Sequence, residues 1–182
     1  MASPSRLRLF YLLHLSKPAS DRLVYCEIRR LKARQIVELG LGTGQRSVRM
    51  IELLREFHEA RHIHYTGIDL FEARTAADGP GISLREAHRK LQATGARIQL
   101  VPGTADEALS RTANGISRVD ALVISASIPP ERLLRAWFFL PRMIHSATRV
   151  LQESCSGGTT TMRLLEPREV EQWAARGQRR AA

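Results

Sequence analysis

The sequence has few cysteines, few aromatic residues and no long hydrophobic run. Its two cysteines, Cys26 and Cys155, match neither a metal-binding spacing nor a disulfide framework, which suits a reducing compartment. A membrane helix needs about 20 consecutive apolar residues. The apolar stretch Leu7–Leu15 is much shorter and is interrupted by Arg8 and His14. We therefore predict a cytoplasmic protein that does not associate with membranes.

Acidic residues are also scarce relative to basic ones. The chain has 28 lysines and arginines against 18 aspartates and glutamates, a formal net charge of +10. The arginines are scattered from Arg6 to Arg180, and aromatic residues, which could stack on bases, make up 5% of the chain. We therefore interpret the arginines as solvated surface residues and not as a nucleic-acid site, which makes RNA the less favoured partner.

Two common nucleotide-binding fingerprints are missing. The glycines at 40, 42 and 44 are followed by Gln45, which does not fit G-x-G-x-x-G, and there is no P-loop lysine. What is present is a short apolar strand, Ile36–Leu39, then a glycine-rich turn, then a helical pattern from Gln45. Such a turn lets the backbone approach a ligand closely and leaves free N–H groups at the start of the helix.

The turn and the end of the strand before it together read E-x-G-x-G-x-G from Glu38 to Gly44. This resembles the first motif of the class I S-adenosylmethionine-dependent methyltransferases. The resemblance implies S-adenosylmethionine as cofactor and an α/β fold: a doubly wound, mostly parallel Rossmann-like sheet in three layers. It also implies cofactor contacts from five residues of the motif, namely Glu38, Gly40, Gly42, Thr43 and Gly44. The alternative is a tight strand–helix turn that binds nothing.

A carboxylate ends the second predicted strand, Ile63–Asp69. Asp69 lies 25 residues beyond Gly44. A carboxylate at this strand tip can accept hydrogen bonds from both ribose hydroxyls of a nucleoside. By resemblance to the family, Asp69 is predicted to hold the ribose of the cofactor and Leu70 to pack near its adenine. The alternative is a strand-end aspartate that only stabilises a turn.

The ends of the third and fourth predicted strands carry weaker signals. After Arg97–Val101, methyltransferases often place an acid that reaches the adenine amine. Here Thr104 and the backbone of Ala105 take that predicted role, with Asp106 as a further candidate. Val119–Ile124 leads to Ser125, which we predict to contact the cofactor.

The sequence indicates no catalytic residue and no metal site. The stretch after the fourth strand, SASIPP, lacks both the [DN]-P-P-[YFW] motif of amino-methylating enzymes and the acid pair of metal-dependent O-methyltransferases. Histidines are candidates for a general base by chemistry alone. These are His14, His62, His64, His88 and His145.

The order of elements predicts a single domain without repeats or linkers. Residues 1–33 are expected to form an N-terminal helical cover, 34–152 the core, and 153–182 a C-terminal edge strand and helix. Within the last segment we expect one strand, a short helix from Pro167 to Trp173, and a basic tail. The edge of the sheet is therefore predicted to be abbreviated relative to the family.

These observations favour a methyltransferase that transfers a methyl group from S-adenosylmethionine to an unidentified acceptor, with a small molecule favoured. The absence of a recognisable fourth motif and the short C-terminus motivate one alternative, a non-catalytic or degenerate cofactor-binding protein. The net charge motivates another, an RNA methyltransferase. No pattern in the sequence indicates an oligomeric state.

Overall fold

The computed structural model describes residues 3–181 and contains one six-stranded sheet flanked by helices. The strands are β1 (Gln35–Leu39), β2 (His64–Asp69), β3 (Arg97–Pro102), β4 (Val119–Ile124), β5 (Ile144–Ser156) and β6 (Thr159–Leu164). The α-helices are α1 (Arg6–Phe10), α2 (Asp21–Leu31), α3 (Gln45–Leu54), α4 (Leu84–Gln92), α5 (Ala105–Thr112), α6 (Pro130–Ala136) and α7 (Pro167–Ala181).

The sheet is doubly wound, as predicted. Its strand order is β3-β2-β1-β4-β5-β6; the first five strands along the chain are parallel, and β6 runs antiparallel to β5. Leu39 at the end of β1 is in register with Ile68 of β2 on one side and Ile124 of β4 on the other. The strand order reverses between β1 and β4, and ligands bind at this position in open α/β sheets.

Two apolar cores, one on each face of the sheet, make the three layers. On one face, Val24 and Ile28 of α2 pack with Met50 of α3 and Leu91 of α4. On the other face, the core joins α5, α6 and the partly buried Trp173 of α7. Both faces of the sheet are covered, which explains why β4 reads as a nearly continuous apolar run.

The N-terminal apolar stretch, whose period fits either a strand or a helix, is helical. Ser5 begins α1, where its side chain accepts a hydrogen bond from the Arg8 backbone N–H at 3.2 Å. The helix continues as a π-helical turn, Tyr11–Leu15, which buries Leu12 against the core.

The C-terminal edge is abbreviated, as predicted, but the last helix is longer than predicted. The prediction of a basic tail from Gly177 is wrong, because α7 continues to Ala181. Trp173 stacks on Trp137 with ring centroids 6.5 Å apart. Helix α7 continues beyond Trp173 and packs against α6. A Cβ at Gly177 would lie 2.7 Å from the backbone nitrogen of Phe138, so the glycine permits this close packing.

The close contact at Gly177 leads to a stability prediction. Gly177→Ala adds a methyl group against backbone atoms that cannot move freely, and overpacking of this kind costs about 1–3 kcal/mol. We expect a net decrease in the free energy of unfolding by urea, although alanine favours helices by about 1 kcal/mol over glycine. The matched control is Gly115→Ala, where a Cβ meets nothing within 4 Å. Equal stability of the two variants would contradict the close packing of α7.

Candidate functional site

The glycine turn after β1 has a conformation that only glycine adopts without strain. Gly40, Gly42 and Gly44 all have positive φ, at 83°, 59° and 67°. Gly40 also lies against the turn after β4, since a Cβ there would be 2.6 Å from the Cβ of Ser125. The predicted motif is therefore a tight turn that contacts the end of a neighbouring strand.

A hydrogen bond joins this turn to the tip of β2. The backbone N–H of Gly42 donates to Asp69 Oδ2 at 2.9 Å. The Phe71 N–H donates to Asp69 Oδ1 at 3.2 Å. The structure thus brings together the motif and the carboxylate that the sequence analysis had linked by resemblance alone.

Asp69 also forms a bidentate ion pair that the sequence analysis did not predict. Arg74 Nε donates to Asp69 Oδ1 at 2.7 Å, and Arg74 Nη2 donates to Oδ2 at 2.8 Å. Burial alone would raise the pKa of Asp69, but the hydrogen bonds from Arg74, Gly42 and Phe71 outweigh it and hold this pKa below its usual value. Asp69 is therefore a buried, ionised acceptor.

Glu38 lies beneath the turn and is fully buried. Its carboxylate accepts hydrogen bonds from Arg46 Nε at 2.7 Å, from Ser47 Oγ at 2.6 Å and from the hydroxyl of Tyr65. Because these side chains engage the carboxylate, any effect of Glu38 on a ligand would pass through Arg46 and the start of α3.

Arg46 is the centre of a cluster of three carboxylates. Besides Glu38, its Nη1 contacts Asp21 at 3.3 Å and Glu153 at 3.2 Å, and its side chain is 10% exposed. Burial lowers the pKa of Arg46, but the three acids outweigh burial and raise it. Burial, the largest cause, raises the pKa of Asp21 despite Arg46. The cluster contains more negative than positive charge.

Glu153 extends this cluster to the end of β4. Its Oε2 accepts hydrogen bonds from Ser125 Oγ and from the Ala126 N–H, both at 3.1 Å. The turn after β4, which carries Ser125, is thereby fixed to β5. Sequence reasoning placed Ser125 at the site but gave no partner for it.

Two adjoining cavities flank the turn. The apolar cavity, of about 320 Å³, is lined by Ile68, Leu70, Ala105, Ile128 and Pro129, and also by Thr104 and the charged residues Asp69, Asp78 and Arg132. The charged cavity, of about 510 Å³, includes Asp21, Arg46 and Glu153 in its wall, with Gly42, Thr43 and Ser125. Four of the described residues line both cavities and therefore lie where the two meet: Gly40, Arg74, Asp78 and Ser127.

Most of the predicted site residues therefore line one cavity or the other. Glu38 and Gly44 line neither, since Glu38 is beneath the turn and Gly44 is at the N-cap of α3. Asp106 is also outside both cavities and pairs with Arg135 at 2.7 Å. No histidine in the described part of the chain lines these cavities.

The sequence analysis missed six charged residues of the described chain that line the cavities, namely Asp21, Arg46, Arg74, Asp78, Arg132 and Glu153. Three of these meet only through the fold, because α2, α3 and β5 are far apart in the chain. Arg74 lies five residues after Asp69, and that spacing was a usable signal, but the many other arginines obscured it.

Among residues 3–181, no group of three or more His, Cys, Asp or Glu side chains is arranged to hold a metal ion. The helices of the same residues are too short or too polar to cross a membrane.

Comparison with known proteins connects this geometry to a fold. No protein-family model and no curated protein matches the chain. Solved structures do match. The O-methyltransferase from Bacillus cereus, crystallised with SAH, is 16% identical; the match covers 82% of this chain and 67% of that one, with a TM-score of 0.55. The O-methyltransferase TomG from Streptomyces achromogenes, crystallised with SAM, is 14% identical over 84% and 67%, with a TM-score of 0.57.

A third match is precorrin-6y C5,15-methyltransferase from Geobacter metallireducens. It is 13% identical, the match covers 94% of this chain and 73% of that one, and the TM-score is 0.55. The chain spans about two thirds to three quarters of the length of these three structures.

The charge cluster around Arg46 leads to a second prediction. Arg46→Met leaves two buried carboxylates, Glu38 and Asp21, and the partly buried Glu153 without their cation, and breaking a buried ion pair costs about 3–5 kcal/mol. We expect a loss of this size in unfolding by guanidinium chloride at pH 7. Arg61→Met, which removes an exposed pair with Glu59, is the control and should change stability by about 0.5 kcal/mol or less.

The loss of stability caused by Arg46→Met should depend on pH. Burial raises the pKa of Asp21, and Arg46 opposes this rise. Without Arg46 the folded pKa of Asp21 rises further above its unfolded value, so the penalty from this acid is small below the unfolded pKa and grows as pH rises. The difference between wild type and Arg46→Met should therefore shrink between pH 7 and pH 4. A difference that does not change with pH would contradict the cluster.

The class I S-adenosylmethionine-dependent methyltransferase fold, first indicated by the motif Glu38–Gly44, is thus confirmed for this chain by the sheet topology and the matching structures.

Proposed function

We propose that the protein is an enzyme that transfers a methyl group from S-adenosylmethionine to a small-molecule acceptor. The observation that carries this proposal is the position of the buried carboxylate of Asp69. It is hydrogen-bonded to the glycine turn where an apolar and a charged cavity meet. This boundary lies at the reversal of strand order, where the fold places ligands.

The residues present fit the cofactor. S-adenosylmethionine has a flat base, a ribose with two hydroxyls, and a charged amino-acid portion with a positively charged sulfur. The apolar cavity suits the base, Asp69 suits the hydroxyls, and the charged cavity beside Asp21 and Glu153 suits the amino-acid portion. The excess of negative charge around Arg46 complements a cation.

We assign roles to the predicted residues on this basis. The backbone of Gly40–Gly44 approaches the amino-acid portion, Asp69 accepts from the ribose, and Leu70 and Ala105 pack against the base. Thr104 lies at the edge of the base, and Ser125 lies near the amino-acid portion. When bound, the cofactor supplies a methyl group that a nucleophile can attack directly. The chain's contribution is to hold and orient the reactants and to exclude water.

A hydroxyl or amine acceptor needs a group that takes its proton. Asp21 and Glu153 are the carboxylates in the wall of the charged cavity nearest to Arg46. Glu153 already accepts hydrogen bonds from Ser125, Ala126 and Arg46. From the described residues, Asp21 accepts only two long hydrogen bonds, from Arg46 at 3.3 Å and from the Tyr25 hydroxyl at 3.4 Å. Its raised pKa suits a general base, so we favour Asp21.

The proposal extends to location and partners. Both cysteines are free, as suits a reducing cytoplasm. A small-molecule acceptor is favoured over RNA because many described arginines are paired with carboxylates. An RNA acceptor would instead give binding that weakens steeply with salt. The second candidate function, cofactor binding without turnover, is favoured by the six-stranded sheet with its abbreviated edge and by the SASIPP stretch after β4, which has neither methyltransferase motif.

Calorimetric titration with S-adenosylmethionine and S-adenosylhomocysteine tests the proposal. We expect wild-type protein to bind both, and Asp69→Ala to bind at least about tenfold more weakly, because a charged hydrogen bond contributes about 1.5–3 kcal/mol. Gly42→Val should also weaken binding, because valine is strained at a φ of 59°.

The matched control is Asp120→Ala. Asp120 accepts hydrogen bonds from the backbone of Arg34 and Gln35 at the opposite end of the sheet, so its loss should affect stability but not affinity. Folded wild-type protein that binds neither compound would refute the proposal. Unchanged affinity in both site variants would refute the assignment of the site.

A further inference from the structure

We infer that Arg74 is an internal competitor for the hydroxyls of the nucleoside, so that release of its guanidinium from Asp69 sets the affinity of the site. The inference rests on the proposed function. It concerns a residue that neither the motif nor the resemblance to methyltransferases assigns. Its starting point is that both oxygens of the Asp69 carboxylate are already engaged.

The carboxylate has no free acceptor position of good geometry. A carboxylate offers about four lone-pair sites. Asp69 receives four donors: Arg74 Nε and the Phe71 N–H on Oδ1, and Arg74 Nη2 and the Gly42 N–H on Oδ2. A ribose hydroxyl that donates to this carboxylate must therefore replace one of them.

Arg74 is the donor that can leave. The amides of Gly42 and Phe71 belong to backbone that is fixed by the strand ends and by a turn. The guanidinium, in contrast, is at the end of a flexible side chain and lines both cavities, at the boundary that a nucleoside would cross. It occupies the place where the hydroxyls would meet Asp69.

The loop after β2 holds the guanidinium in this place. Arg74 Nη1 donates to the carbonyl oxygen of Asp78 at 2.6 Å, and the Arg74 side chain is 10% exposed. Gly81 packs against the stem of Arg74, where a side chain would overlap it. The ion pair thus connects the loop to Asp69, and a ligand that displaces Arg74 removes this connection.

This arrangement lowers the apparent affinity for a nucleoside. Only molecules in which Arg74 has left Asp69 can bind the ribose hydroxyls in this way. The observed dissociation constant therefore rises in inverse proportion to the fraction of such molecules. Removal of Arg74 should abolish the competition. Asp69 would keep its hydrogen bonds from Gly42 and Phe71 and would remain oriented.

The test measures the affinity of full-length protein for S-adenosylhomocysteine by calorimetry. Arg74→Met, which keeps the apolar stem, should bind about tenfold more tightly than wild type. Arg74→Lys should show a smaller gain, because lysine keeps the charge but cannot form the bidentate pair. Arg61→Met removes an arginine from an exposed pair with Glu59 and should leave the affinity unchanged. Equal or weaker binding by Arg74→Met would overturn the inference.

A pair of ligands distinguishes competition for hydroxyls from simple filling of space. Adenosine carries both hydroxyls and 2′,3′-dideoxyadenosine carries neither. In ligand-detected NMR titrations, Arg74→Met should tighten the binding of adenosine and leave that of the dideoxy compound unchanged. An equal gain for both would overturn the inference, since the guanidinium would then act only by its volume.

The outcomes also separate this inference from the proposed function. Thermal unfolding first establishes that each variant is folded, and Arg74→Lys carries the test if Arg74→Met does not fold. Wild-type binding with no gain in the Arg74 variants overturns this inference alone. Absence of binding by folded wild type overturns the proposed function, and the same absence in every folded Arg74 variant overturns this inference as well.

Discussion

The hydrogen bond from the Gly42 amide to Asp69 is the contact on which the rest of the site depends. It joins the turn after β1 to the tip of β2, the two neighbouring strands on one side of the reversal in strand order. The left-handed backbone of the turn aims this amide at the carboxylate, and Ser125 closes the other side. The cavities are the spaces left on either side of this junction.

The electrostatics around the junction are unusual for so basic a protein. The chain carries a net charge of +10, yet the region beneath the turn holds three carboxylates around Arg46. Only one of the three, Glu38, is in the motif. Asp21 and Glu153 come from α2 and β5, the elements that complete the site from the N-terminal and C-terminal parts of the chain. A local excess of carboxylates thus occurs in a chain whose net charge is positive.

Local patterns predicted the parts of the fold that are encoded locally. Strand β4, the glycine turn and the position of Asp69 follow from apolar runs, glycine spacing and strand ends. Asp69 and Arg74 are only five residues apart, but their pairing depends on the path of a loop, so their spacing alone does not fix it. The cluster at Arg46 depends on contacts between distant segments and is not visible in a window of sequence. The length of α7 was mispredicted because tertiary packing against α6 overrides the helix-ending tendency of Gly177.

The abbreviated edge of the sheet has a consequence for how copies of the chain meet. Strand β6 is the last in the sheet, so its outer row of peptide groups has no neighbouring strand in the described fold. Such a row is a template for aggregation with another chain. Three of the six residues of β6 are threonines, and a fourth is Arg163, which pairs with Glu169 at 2.6 Å. The polar and charged side chains of β6 thus hinder the pairing of another chain with this edge of the sheet.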